Sequence, residues 1–295
     1  MNKRLTAKDF HPDLLELYDF YAHGQITKRE FLDKAKKYAI GGMTALTLFN
    51  LMQPNYANAQ QVNFNDPEID ANFIFYNSKN GHGKIKAYQV GPKSKTPKGA
   101  VLVVHENRGL NPYIQDVARR LAKDGFLALA PDGLTPKGGY PGNDAKGKVL
   151  QKELDTVKLM NDFFAAFEFL HGAKHGSGKV GAVGFCYGGG VCNALAVAYP
   201  EMSASVPFYG RQAKSDDVPK IKAPLLIHYA ENDSRINQGW PEYEKALKQH
   251  KKEYNAYIYP KTNHGFHNDS TPRYDEAAAK LAWSRTIEFF NKKLS

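Results

Sequence analysis

The chain has 295 residues, of which 42% are hydrophobic and 24% charged. That is enough apolar side chain for one large α/β domain or two small ones, and it excludes fibrous, repetitive and low-complexity architectures. Lys and Arg outnumber Asp and Glu by 40 to 30, but the basic residues are dispersed in short groups such as Lys251-Lys252. With no nucleic-acid-binding motif, the excess reads as a solvated basic surface, and no nucleic-acid partner is expected.

Residues 1–60 differ from the rest. Segment 11–22 reads as a short helix, and Thr27 with Glu30 forms a capping box that opens another. The basic stretch Lys28-Arg29-Glu30-Phe31-Leu32 leads into the uncharged run 39–52 and then Ala57-Asn58-Ala59. A basic region, a short apolar stretch and A-x-A are the parts of an export signal, and the basic part is similar to a twin-arginine motif with Lys28 in place of the first arginine. Two readings stand: a periplasmic protein cleaved after Ala59, or a cytoplasmic one whose first helices pack on the main domain. The apolar run is too short for a stable membrane span.

From about residue 66, strand and helix alternate. Segments 73–76 and 84–90 form an opening hairpin about Asn80-Gly81. Segment 100–105 is the continuous apolar run of a buried strand. Asn111-Pro112 starts a helix that ends near Gly125, and a strand follows at 126–130. The Gly- and Pro-rich stretch 135–147 reads as a loop, 148–170 as one long amphipathic helix, 179–185 as a strand and 188–199 as a helix rich in small residues. Strands follow at 204–208, 225–230 and 256–259, with helices at 241–249 and 274–293. This alternation implies a mostly parallel sheet with helices on both faces and ligands at the carboxyl ends of the strands. The expected division is an N-terminal extension, 1–60, and an α/β domain, 61–295. Cys186 and Cys192 are six apart, about 9 Å along a helix, and are expected to be free thiols.

The chemistry gathers just after predicted strands. Gly184-Phe185-Cys186-Tyr187-Gly188 is G-x-C-x-G between a strand and a helix, the thiol form of the G-x-S-x-G nucleophile elbow of α/β-hydrolases. The following helix N-terminus favours a thiolate, and the Tyr187 N–H is placed to hold an oxyanion. His264 follows the last strand as the base, with His267 as its competitor, and Asp233 follows an earlier strand as the acid that orients it, with Glu231 as a substitute. In the loop His105-Glu106-Asn107, Asn107 is the second oxyanion donor and Glu106 a carboxylate aimed at the same pocket. A zinc site made of His264, His267, Cys186 and Asp233 lacks the usual ligand spacing, and Gly188-Gly189-Gly190 lacks the residues of a phosphate loop. No metal and no cofactor are expected.

Together, Gly-Phe-Cys-Tyr-Gly-Gly at 184–189, Asp233 and His264-Gly265-Phe266, at separations of 47 and 31 residues, resemble the Cys-Asp-His triad of the dienelactone hydrolase family. The likeness runs from about residue 66 to the end, and the wording around His105 and His264 is similar to a bacterial subgroup. The resemblance implies an α/β-hydrolase fold and cleavage of a small-molecule ester or lactone through a thioester acyl-enzyme, like a carboxymethylenebutenolidase. It also implies that Glu106 contacts the resting thiol, and that arginines bind an anionic substrate. His267 and Asn268 stand where the family places an arginine, so Arg211 and Arg273 are the local candidates. The rival functions are a thioesterase or peptidase on the same scaffold, and a non-catalytic thiol redox sensor or binding protein.

Overall fold

The computed structural model describes residues 5–40 and 42–295. Among the described residues, three α-helices precede the sheet: α1 (Pro12–His23), α2 (Lys28–Ala35) and α3 (Ala45–Leu51). In α1, Pro12 sits at the first helical position and Gly24 ends the helix with φ 75°, a conformation open to glycine. The capping box of Thr27 and Glu30 opens α2. Tyr18 of α1, Phe31 of α2 and Phe49 of α3 meet in a small core of their own, with Tyr18 and Phe31 edge-to-face at 6.0 Å. The apolar run 39–52, of which Gly41 lies outside the described residues, thus supplies α3. None of the helices among the described residues is long and apolar enough to cross a membrane.

The remaining elements are β1 (Ile69–Ser78), β2 (Gly83–Pro92), β3 (Ala100–Val104), α4 (Pro112–Lys123), β4 (Leu127–Pro131), α5 (Asp144–Lys152), α6 (Thr156–Ala173), β5 (Val180–Phe185), α7 (Tyr187–Ala198), β6 (Ala204–Phe208), β7 (Leu225–Asn232), α8 (Ser234–Asn237), α9 (Trp240–Gln249), β8 (Tyr254–Asn263) and α10 (Glu276–Leu294). The eight strands form one sheet in the order β1-β2-β4-β3-β5-β6-β7-β8. β2 runs antiparallel to both neighbours, and the pairs from β4 to β8 are parallel. This is the α/β-hydrolase fold expected from the alternation of elements.

Every residue of β3, β5 and β6 is buried, as a strand covered on both faces requires. One face is covered through Phe163 and Phe167 of α6, Leu195 of α7 and Leu247 of α9. The other is covered through Val117 and Leu121 of α4 and Ala282 and Phe290 of α10.

Between residues 135 and 170 the structure departs from expectation. A loop followed by one long helix was expected, but α5 begins inside the Gly-rich stretch and ends before α6 starts. Asn143 caps α5 through Lys146 N–H, and the Asp155 carboxylate caps α6 by accepting from the N–H groups of Val157 and Lys158. Gly147 lies inside α5 because a Cβ there would sit 2.3 Å from the Arg108 carbonyl. Both cysteines are free, as expected, and both are buried.

Candidate active site

Cys186 occupies the turn between β5 and α7 with φ 56° and ψ −111°, a region that costs a non-glycine residue energy and survives only where its surroundings enforce it. They do so here. Cys186 N–H donates to Phe208 O at 3.0 Å, and Cys186 O accepts from Gly189 N–H at 3.1 Å. A Cβ on Gly184 would lie 2.1 Å from Gly188 O, and one on Gly188 would lie 2.2 Å from Val104 O, so both flanking glycines are sterically required. Tyr187 is the first residue of α7, a position whose N–H has no intrahelical acceptor.

His264 follows β8 and Asp233 follows β7. The His264 Nδ1 lies 2.5 Å from Asp233 Oδ2, and both residues are buried. A carboxylate accepts, so Nδ1–H donates and Nε2 is the nitrogen left over. Nε2 is buried without a hydrogen-bond partner. The next turns are pinned from below: His267 Nδ1 is 2.7 Å from Tyr113 OH, Asn268 Nδ2 donates to Glu106 Oε2 at 2.9 Å, and Arg120 pairs with Asp116 and Asp269.

The N-terminal helix α1 also enters this site. His23 Nε2 lies 3.1 Å from Cys186 Sγ, and the His23 and His264 rings meet edge-to-face at 4.6 Å. His23 Nδ1 is 2.9 Å from the Asp19 carbonyl and 3.2 Å from Asp19 Oδ1. A carbonyl only accepts, so Nδ1 carries the proton and Nε2 faces the sulfur. Asp19 in turn pairs with Arg273 Nη1 at 3.2 Å and Arg235 Nε at 3.6 Å. Arg235 Nη2 lies 3.1 Å from His23 Nε2 and 3.3 Å from His264 Nδ1. The last carbonyls of α1 are satisfied from the main domain, Ala22 O by Asn107 Nδ2 at 3.1 Å and Tyr21 O by Lys148 Nζ, a cation at the negative helix end.

Burial pushes the Cys186 thiol up, but the charges of His23 and His264 more than offset it, and its pKa falls well below the usual value. Burial lowers His264, yet Asp233, Asp19 and the sulfur raise it to about 10. His23 is likewise raised against its burial by Cys186 and Asp19. Burial holds the Glu106 carboxyl above its usual range. The site therefore favours a thiolate beside imidazolium.

Residues 85–294 match the family model of the dienelactone hydrolase family. The chain belongs to the dienelactone hydrolase family. A "Putative carboxymethylenebutenolidase" of Saccharolobus solfataricus is 33% identical over 257 residues, covering 74% of this chain and 97% of the relative. A "Putative hydrolase fragment YghX" of Escherichia coli is 64% identical over 118 residues, 39% of this chain and 99% of the fragment. Among solved structures, a "Putative Dienelactone Hydrolase" of Klebsiella pneumoniae is 27% identical with a TM-score of 0.64, covering 75% of this chain and 98% of that one. This member of the family is a lactone or ester hydrolase. Residues 1–39 match a separate model, described as YqhI-like, so Asp19 and His23 come from outside the matched hydrolase segment.

The fold brings Cys186, Asp233 and His264 together, with a ring nitrogen of His264 within 4.8 Å of the sulfur. Glu106 is buried nearby, its carboxylate accepting from Asn268 Nδ2, and His23 Nε2 also lies beside the thiol. The Asn107 side chain is committed to α1. Glu231 is exposed and accepts from Lys261 N–H, away from His264, while His267 is packed beneath the site on Phe185. Arg273 and Arg235 line a small cleft with Asp19, Asp233 and His264, to which Cys186 does not contribute, whereas Arg211 is exposed, its carbonyl accepting from Asn193 Nδ2 of α7. Sequence reasoning missed Arg235, Asp19 and His23. Arg235 had a local signal, two residues after Asp233; the other two had none within the domain that carries the motifs.

Proposed function

We propose that this hydrolase cleaves its ester or lactone with Cys186 as nucleophile. The observation that carries this reading is the strained elbow at Cys186 beside a His264–Asp233 pair, with a ring nitrogen of His264 within 4.8 Å of the sulfur and its Nε2 buried without a hydrogen-bond partner. The thiolate attacks the acyl carbon and forms a C–S bond, and the N–H groups of Tyr187 and Asn107 hold the oxyanion. The C–O bond then breaks, and His264 gives its proton to the leaving alkoxide. Water, deprotonated by His264, attacks the thioester and returns the thiolate. Asp233 keeps His264 in the tautomer that can do this.

Arg235 and Arg273, now paired with the Asp19 carboxylate, favour a substrate that carries its own carboxylate. Such a substrate reaches the sulfur only when α1 gives way, because His23 stands on it. A panel of esters, lactones, thioesters and peptides, with Cys186→Ala as the blank, tests the reading. Turnover of carboxylate-bearing esters or lactones that Cys186→Ala abolishes is expected. Turnover of peptides alone, or turnover that survives in the variant, would overturn it.

A further inference from the structure

We propose that His23, Cys186 and His264 form a binding site for a zinc-like transition-metal ion, which would fasten helix α1 over the thiol. One donor atom from each of the three converges within 4.8 Å of the others. A thiolate with two imidazoles is a borderline-soft donor set that suits Zn²⁺ or Co²⁺. Zinc bonds of about 2.0–2.3 Å set such donors about 3.4–3.6 Å apart in a tetrahedron, so about 1 Å of side-chain movement closes the widest gap.

The surroundings are those of a metal centre as well. A metal-bound imidazole usually donates its other N–H to a carboxylate or carbonyl. Both histidines do so: His264 Nδ1 to Asp233, and His23 Nδ1 to the Asp19 carbonyl with the Asp19 carboxylate close by. His264 Nε2 is buried with no hydrogen-bond partner, so a lone pair there is available to an ion. Three protein donors leave a fourth position for water.

The charge also fits. A metal-bound cysteine is a thiolate, and Asp19 and Asp233 stand behind the two imidazoles, so the ion would be surrounded by negative charge. Arg235 is the competitor, with Nη2 at 3.1 Å from His23 Nε2. Its side chain is 24% exposed and has solvent to turn into. Because Asp19 and His23 belong to the N-terminal segment and the other donors to the hydrolase domain, the ion would bridge the two and block the sulfur.

The test uses the full chain, stripped by chelator and titrated with Co²⁺ without substrate, so its outcome is independent of any hydrolase assay. One equivalent of cobalt with a thiolate-to-cobalt charge-transfer band is expected, displaced by Zn²⁺. Cys186→Ser should abolish the band. His23→Asn and His264→Asn should each weaken binding, and Asp19→Asn should weaken it about 10- to 100-fold. Arg235→Met should tighten it. Circular dichroism and the melting temperature check that each variant is folded. No charge-transfer band, or a band and affinity unchanged in folded His23→Asn, would overturn the proposal.

Discussion

At Cys186 burial alone would keep the proton on sulfur; the two imidazoles beside it reverse the sign. The thiolate ultraviolet absorbance, with Cys186→Ser as blank, should therefore persist below the usual thiol range and fade only on the acid side. An absorbance that appears only as pH rises through about 8.5, where an ordinary thiol ionises, would contradict this. His264 has the opposite sense. Its pKa is raised to about 10, so its ion pair with Asp233 contributes full stability below about 6.5 and loses it as pH rises through about 10. Denaturation midpoints should fall over that window and be flatter in His264→Asn. Gly188→Ala places a Cβ against backbone at Val104 and should cost about 1–3 kcal/mol, read by the same denaturation. The meeting of Cys186, Asp233 and His264 was legible because each follows a strand in the expected order. Where an arginine reaches depends on how its loop folds back, which no spacing encodes: Arg273 pairs with Asp19 of α1, while Arg211 is exposed.

Among the elements, α1 is the one that sets a side chain, His23, against the thiol. It is held by side chains of the main domain at its carbonyl end and by the small core of Tyr18, Phe31 and Phe49 behind it. Phe31→Ala removes a fully buried ring and should cost about 3–5 kcal/mol in that core. The expected result is faster proteolysis within residues 1–60 and faster alkylation of Cys186, with the main domain still melting cooperatively. Alkylation at the parent rate would show that α1 does not cover the sulfur. Sequence periodicity found most elements but not their ends: β8 runs Tyr254–Asn263 where 256–259 was expected. The break between α5 and α6 was missed because Asp155, a cap, lies within a pattern that otherwise continues as helix.

At the scale of the whole molecule, a sheet buried on both faces presents its strand ends to a segment that the family match does not include. The fold was readable because alternating apolar runs determine a parallel sheet. The docking of residues 1–60 was not, since its contacts join side chains more than a hundred residues apart, such as His23 with Cys186 and Asp19 with Arg273. The central claim is that Cys186 carries the acyl group. The direct measurement is the mass of the protein quenched during turnover of an activated ester, followed by peptide mapping. One acyl group on the peptide that contains Cys186, absent in Cys186→Ala, is the predicted result. An acyl group on another residue, or turnover undiminished in Cys186→Ala, would contradict it.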